Sequence, residues 1–270
     1  MKLAIVFSGQ GSQYEGMGRD LAAGSAAAAA VYREASEAAG QDQLALSGKA
    51  LDRTLHAQQA TVTLDLAAFA ALREAMGADW SILEPDLALA GFSLGEYAAF
   101  GAAGVMPLPD LIRLTGERAA AMDAACEAEN GAMFAILGLD DVDILMFLME
   151  DRWVDRVFPA NYNSPGQVVI AGYEADVIQA ANGLKNHGAR RAVRLQVSGA
   201  FHTILMKPAA DALREAAGRC DYAEPRYPLF SNTLGDQLPA VDSMPGYLAR
   251  HMVNPVRWVD EIGSLKRRGY

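Results

Sequence analysis

The sequence predicts an α/β protein: a mostly parallel-sheet, hydrolase-like large domain that carries an inserted ferredoxin-like small domain. Three observations predict it. Short apolar runs alternate with helical stretches along most of the chain. One such run, Leu87-Ala88-Leu89-Ala90, leads through Gly91-Phe92-Ser93-Leu94-Gly95 into the helical stretch Glu96 to Ala103. Between about residues 128 and 198 the order changes to β-α-β-β-α-β, the split unit of ferredoxin-like folds.

The elements follow in order. Leu3–Phe7 reads as a buried first strand that ends in the turn Ser8-Gly9-Gln10-Gly11. Ser25–Ala39 and Val62–Ala75 are rich in Ala and Leu and read as packed helices. Leu87–Ala90 is a short buried strand, and Asp110–Ala125 is an amphipathic helix. In the insert, Ala132–Leu137, Val157–Tyr162, Val168–Ala171 and Ala192–Val197 read as strands, with Asp141–Met149 and Glu174–Lys185 as helices. The expected division is therefore 1–127 with 199–270 as one discontinuous catalytic domain, and 128–198 as the small one.

Composition narrows the function. The chain has 270 residues, 51% of them hydrophobic, enough for a packed core. A net charge of −10 argues against nucleic acid and against an anionic membrane surface. No apolar run reaches 18 residues, and Met1 to Phe7 resembles a first strand more than a signal peptide. Cys126 and Cys220 have neither redox nor metal spacing, so they read as free thiols in a reducing cytoplasm, and no metal site is expected.

Chemistry concentrates at Ser93. Strand, tight turn and helix form the context in which G-x-S-x-G becomes a nucleophile elbow, with the hydroxyl exposed above the sheet. The helix that follows supplies free N–H groups and a positive dipole end, which together stabilise an oxyanion. A glycine-flanked serine in an ordinary βα turn is the competing reading. A nucleophilic serine needs a base, and the chain offers His56, His187, His202 and His251. His187 sits in the polar loop Lys185-Asn186-His187-Gly188 and reads as solvated; His56 has no visible partner. His202 lies where the chain leaves the insert, a place that can face a cleft, although position alone favours an interior histidine. No Asp or Glu orienter is assigned by spacing, so a triad and a Ser–His dyad oriented by a backbone carbonyl both stay open.

Taken together, six segments resemble the malonyl-CoA:acyl carrier protein transacylases, in order and over essentially the whole chain. They are Phe7-Ser8-Gly9-Gln10-Gly11-Ser12-Gln13 with Gly16-Met17-Gly18; Gly91 to Tyr97; Arg118-Ala119-Ala120-Ala121-Met122; Asn161 to Gly172; Val197 to His202 with Leu205-Met206-Lys207-Pro208; and Asn254-Pro255-Val256-Arg257-Trp258. The resemblance implies a ping-pong acyltransferase. Ser93 is acylated by malonyl-CoA, with His202 as general base and then acid. The backbone N–H groups of Gln10 and Leu94 hold the oxyanion, and Arg118 grips the malonyl carboxylate through a bidentate fork. Asn161, Phe201 and His251 complete the substrate-binding set, with bulky Phe201 selecting malonyl over branched extender units. Implied too are malonyl-CoA and an acyl carrier protein as partners, with coenzyme A entering as substrate and no bound cofactor. A cytoplasmic monomer acting in fatty acid biosynthesis is expected. A discrete polyketide acyltransferase, an acyl-thioester hydrolase on the same scaffold and a non-catalytic carrier-binding protein are the alternatives.

Some positions depart from the family pattern. Phe92 stands for the commoner His, Ser8 for Pro, and Ala119 for Gly. The T-Q-P-A stretch reads Thr63-Leu64-Asp65-Leu66, so the pocket glutamine is expected to be missing. His251 replaces a Gln whose backbone carbonyl orients the catalytic histidine in the family, a function that any residue retains. The pattern normally continues through a G-P-G segment and a last helix, so the C-terminal end of the catalytic domain is expected to be incomplete. Because carrier proteins are acidic like this chain, docking needs a local basic patch, for which Lys185, Arg190, Arg191, Arg194 and Lys207 are the candidates.

Overall fold

A computed structural model of the chain describes residues 2–241 and 243–270. At its centre, strand Leu3–Phe7 pairs in parallel with Leu87–Gly91, from Leu3 opposite Leu87 to Phe7 opposite Gly91. A third segment joins on the far side, where Leu89 bridges Leu229 in parallel and its N–H donates to the Pro228 carbonyl at 2.9 Å. All five residues of Leu87–Gly91 are buried. An unbroken run of small and apolar side chains is what a strand covered on both faces requires.

Helices surround this core. Thr54–Met76 begins well before the expected Val62. The polar residues His56, Gln58 and Gln59 hide the helical pattern in the sequence, yet every residue from Ala57 to Thr63 is buried. A helix enclosed on all sides shows no amphipathic stripe. Leu108–Ala128 starts behind Pro107 and extends the expected helix at both ends. Its core face runs Leu111, Thr115, Arg118, Met122, Ala125, at the i, i+3, i+4 spacing of one helix side. Lys207–Ala217 and Met244–Val253 pack against each other beside it. Among the described residues no helix is long and apolar enough to cross a membrane.

Residues Gly131–Leu137, Asp141–Leu148, Val157–Ser164, Gln167–Tyr173, Glu174–Asn186 and Arg191–Arg194 follow as strand, helix, strand, strand, helix, strand. The four strands form an antiparallel sheet in which Val157–Ser164 lies beside Gln167–Tyr173, then Gly131–Leu137, then Arg191–Arg194. Period-two alternation divides its two faces. Phe134, Ile136, Val168 and Ile170 point to the two helices and share a core with Ile144, Phe147, Val177 and Leu184. Met133, Ala135, Val169 and Ala171 point the other way and join the core of the parallel-sheet body. The register pairs these residues face by face, Met133 with Ala171 and Ala135 with Val169. The last strand is shorter than the expected Ala192–Val197; the chain leaves the sheet after Arg194, although Leu195 N–H still donates to the Met133 carbonyl at 2.9 Å. A backbone seam also joins the two parts: Tyr162 N–H donates to Val256 O at 2.8 Å, and Val256 N–H to Ala160 O at 2.9 Å.

The turn after Phe7 lies directly on the turn after Gly91. Phe92 N–H donates to the Phe7 carbonyl at 3.1 Å. Only glycine fits at Gly95, where a Cβ would stand 2.4 Å from Phe7 O and 2.6 Å from Ser8 O. Gly95→Ala is expected to destabilise the protein by about 1–3 kcal/mol through this backbone clash, measured as a lower urea midpoint at unchanged slope.

Candidate active site

The side chain of Ser93 ends at His202: Ser93 Oγ lies 2.7 Å from His202 Nε2. These residues are 109 positions apart in the chain, so the fold alone brings them together. Both have left-handed backbone, φ 50° at Ser93 and 58° at His202, a conformation that costs a non-glycine residue roughly 1–3 kcal/mol and persists where the surroundings enforce it. His202 Nδ1 faces two carbonyls, Asn254 O at 3.1 Å and His251 O at 3.2 Å. Carbonyls only accept, so Nδ1 carries the proton and Nε2 is left as the acceptor for the serine O–H. Among the described residues no carboxylate bonds to His202, and the partners of its Nδ1 are main-chain oxygens.

Burial pushes the His202 pKa down to about 3, helped by His251 and Arg118 and opposed by the two carbonyl contacts. The imidazole is therefore neutral at physiological pH, the state that takes a proton.

A cavity of about 390 Å³ opens in front of the pair. Its walls come from both parts of the fold: Gln10, Phe92, Ser93, Arg118 and Met122 from the parallel-sheet body, and Met133, Asn161, Leu195, Gln196 and Val197 from the antiparallel sheet and its exit. Phe201 and His202 also line it. Of the residues expected around the substrate, Arg118, Asn161 and Phe201 reach the cavity; His251 does not. Its backbone carbonyl holds His202, while its ring lies buried behind, with Nε2 3.5 Å from Glu96 Oε2. Neither His56 nor His187 lines this cavity, and His187 is exposed at a helix end.

Arg118 is 2% exposed. The flanking Glu117 and Asp123 suggest a surface position, but the helix turns Arg118 to the buried side. Its Nη1 donates to Gln58 Oε1 at 2.7 Å, its guanidinium carbon lies 5.1 Å from the centre of the Tyr97 ring, and Nε has no hydrogen-bond partner. No carboxylate pairs with it among the described residues. Burial pulls its pKa downward without bringing a guanidinium near neutrality. A buried cation held by one neutral amide and the Tyr97 side chain is electrostatically unfinished, because the desolvation penalty of several kcal/mol has no anion to offset it.

Gln58 corrects the expectation of a missing pocket glutamine. It is fully buried, accepts from Arg118, and donates through Nε2 to Gln10 Oε1 at 3.2 Å. One side chain thus ties the arginine to the turn that follows the first strand. Among the described residues the N–H groups of Gln10 and Leu94 have no protein partner. Leu94 caps the helix Gly95–Ala102, where such free donors are expected. Ser8 does more than stiffen or loosen its turn: its Oγ donates to Asp65 Oδ1 at 2.9 Å, and burial raises the Asp65 pKa to about 7. Phe92 packs edge-on against Trp258, with ring centres 5.5 Å apart. Ala119 is buried away from the cavity and does not crowd it.

Two more residues escaped the sequence reading. Asn232 contacts both ends of the elbow, and Glu96, inside the motif segment, is fully buried against it. A polar Ser-Asn-Thr run directly after the apolar Leu229-Phe230 was the only local signal.

Comparison with known proteins points to one family. A family model described as acyl transferase domain matches residues 4–270. The malonyl CoA-acyl carrier protein transacylase of Escherichia coli (strain K12) is 36% identical over 272 residues, covering 99% of this chain and 86% of that protein. The protein of the same name from Bacillus subtilis (strain 168) is also 36% identical, covering 99% and 84%. The solved malonyl CoA-acyl carrier protein transacylase of Coxiella burnetii superimposes with a TM-score of 0.89 at 34% identity, over 99% of this chain and 84% of that one. A malonyl-transacylase solved in complex with its type II polyketide synthase acyl-carrier protein gives 0.88 at 35% identity, over 100% and 86%. With full-length similarity to proteins of one name and one structure, the chain belongs to the malonyl-CoA:acyl carrier protein transacylase family.

Proposed function

We propose that this acyltransferase moves a malonyl group from malonyl-CoA to the phosphopantetheine thiol of an acyl carrier protein, in fatty acid biosynthesis. The observation that carries the reading is Arg118: a buried, anion-free guanidinium in the same cavity as Ser93 and His202. It provides a site for an acyl chain that ends in a carboxylate, and a neutral acyl chain would leave it unpaired. Thioester hydrolysis of neutral acyl groups fits this cavity less well for the same reason.

The geometry supports the following sequence. His202 Nε2 takes the Ser93 hydroxyl proton as Oγ attacks the malonyl thioester carbon. Negative charge collects on the former carbonyl oxygen, which the Gln10 and Leu94 N–H groups hold. The tetrahedral species collapses, the C–S bond breaks, and the coenzyme A sulfur leaves with the proton from His202. Malonyl is then an ester on Ser93. The carrier thiol gives its proton to His202 and attacks the ester carbon, and Ser93 Oγ leaves and recovers that proton. Arg118 holds the malonyl carboxylate throughout, with Gln58 fixing the guanidinium and Asn161 and Phe201 bounding the acyl chain.

The same reading covers the architecture and the partner. The parallel-sheet body, 1–127 with 199–270, acts as a hydrolase-like catalytic domain, and 128–198 as a ferredoxin-like domain whose sheet roofs the cleft. A monomer in a reducing cytoplasm is consistent with the unpaired Cys126 and Cys220. Of the candidate docking residues, Arg194 pairs with Glu174 and Lys207 with Asp211, while Lys185, Arg190 and Arg191 are exposed without ion pairs among the described residues. These three are the free charges for an acidic carrier.

Incubation with radiolabelled malonyl-CoA tests the central step. Wild-type protein is expected to retain label that moves to added carrier, and Ser93→Ala to retain none; label released only as free malonate would mean hydrolysis. Arg118→Ala should lower kcat/KM for malonyl-CoA by about 10²-fold, the value of one lost charged hydrogen-bond pair, and change acetyl-CoA turnover far less. Because burial keeps His202 neutral down to about pH 3, the acid limb of kcat/KM should fall well below pH 6.5. Stability has the matching sign. The unfolded chain binds a proton at His202 near pH 6.5 that the folded chain refuses until about pH 3, so stability declines as pH falls through that window. A denaturation series in His202→Gln should show a weaker decline.

A further inference from the structure

We propose that Asn232 is the positioning residue that locks the nucleophile elbow, its single carboxamide clamping Gly91 and Ser93 on either side of Phe92. The inference rests on Ser93 being the nucleophile and assigns the group that holds it ready.

The strained conformation of Ser93, φ 50°, needs a restraint from outside the turn. Asn232 supplies one from 139 residues away: its Oδ1 accepts the Ser93 N–H at 2.5 Å, and its Nδ2 donates to the Gly91 carbonyl at 2.6 Å. The orientation of the amide is forced, since Ser93 offers only a donor and Gly91 only an acceptor. Asp at this position would set an oxygen against the Gly91 carbonyl, and Leu would satisfy neither group.

Asn232 is itself fixed. It is 1% exposed, its backbone N–H donates to Glu96 Oε2 at 2.8 Å, and its carbonyl accepts from Arg257 N–H at 2.8 Å. Its Nδ2 also reaches Glu261 Oε2 at 2.8 Å. Tyr247 donates its hydroxyl to Glu96 as well. Burial, with Glu96 nearby, raises the Glu261 pKa to about 9, so Glu261 is a neutral acid whose Oε2 accepts and whose Oε1 has no partner.

The clamp has a consequence for the oxyanion. Three successive N–H groups begin this turn, at Ser93, Leu94 and Gly95. Gly95 N–H goes to the Phe92 carbonyl at 2.9 Å, and Ser93 N–H is taken by Asn232. Leu94 alone remains free on this strand-to-helix turn. Asn232 thus fixes which N–H of the turn stays unbonded as well as where Oγ points.

Three proteins test this: wild type, Asn232→Leu and Asn232→Asp, each with its thermal midpoint recorded. The readouts are the rate at which a fluorophosphonate phosphonylates Ser93 with loss of fluoride, mapped by mass spectrometry, and kcat and KM for malonyl-CoA. Folded Asn232→Leu should lose about 10²-fold in both labelling rate and kcat, the effect of a misplaced reacting group, with KM within about threefold of wild type. Asn232→Asp keeps the acceptor for Ser93 N–H and loses the donor to Gly91, so it should fall between the two and react at least about tenfold more slowly than wild type. Should Asn232→Leu fail to fold, the near-isosteric Asp protein decides. Labelling and kcat equal to wild type in a folded variant would overturn the clamp alone. Wild-type protein labelled no faster than Ser93→Ala would overturn the nucleophile assignment together with it.

Discussion

Two backbone turns pressed together at the end of a parallel strand pair set the terms for everything else in this molecule. Phe7-Ser8-Gly9 lies on Phe92 to Gly95 with so little room that a single methyl at Gly95 would fall inside contact distance of two carbonyl oxygens. Close approach of this kind is available only to glycine. The same compression leaves Ser93 in a left-handed conformation with its hydroxyl pointing at His202. The Ser93 conformation and its contact with His202 depend on this packed turn and on Asn232, which holds it from outside.

Around that contact the electrostatics oppose one another usefully. Arg118 and His202 line one cavity, and the arginine helps keep the histidine neutral. A neutral imidazole accepts the serine proton, and the unpaired guanidinium leaves the cavity ready for an anionic acyl chain. When a carboxylate binds Arg118, its charge offsets the guanidinium and the penalty on a protonated His202 falls. In the proposed reaction, substrate charge therefore favours the proton transfer that the attack requires, and a neutral acyl group lacks this effect. Gln58 links the arginine to Gln10, so Arg118 and the turn after the first strand share one hydrogen-bonded chain.

Much of this was legible in the sequence where the information is local. The elbow is a contiguous pattern, and strand, glycine and helix signals surround Ser93 within ten residues on each side. The strand and helix order of 128–198 was readable because period two and period 3.6 alternate cleanly there. Helix Thr54–Met76 was truncated in the reading since burial on every side erases periodicity, and with it went Gln58, whose polar side chain makes sense only against Arg118. Arg118 itself resembles a surface residue between acidic neighbours, and its place followed from the family resemblance rather than from local pattern. Asn232 and Glu261 were beyond reach, because Asn232 bonds Ser93, Gly91 and Glu96, and Glu261 bonds Asn232, contacts that exist only once the chain has folded.

Charge selection at Ser93 is the claim on which this account stands, and a direct competition reads it. Equal concentrations of malonyl-CoA and acetyl-CoA are mixed with the protein, quenched before turnover, and the acyl group on Ser93 is identified by mass spectrometry. Malonyl is expected to occupy the serine almost exclusively, and the two acyl groups to approach parity in Arg118→Ala. Equal occupancy in the wild-type protein, or an acyl group found on a residue other than Ser93, would contradict it.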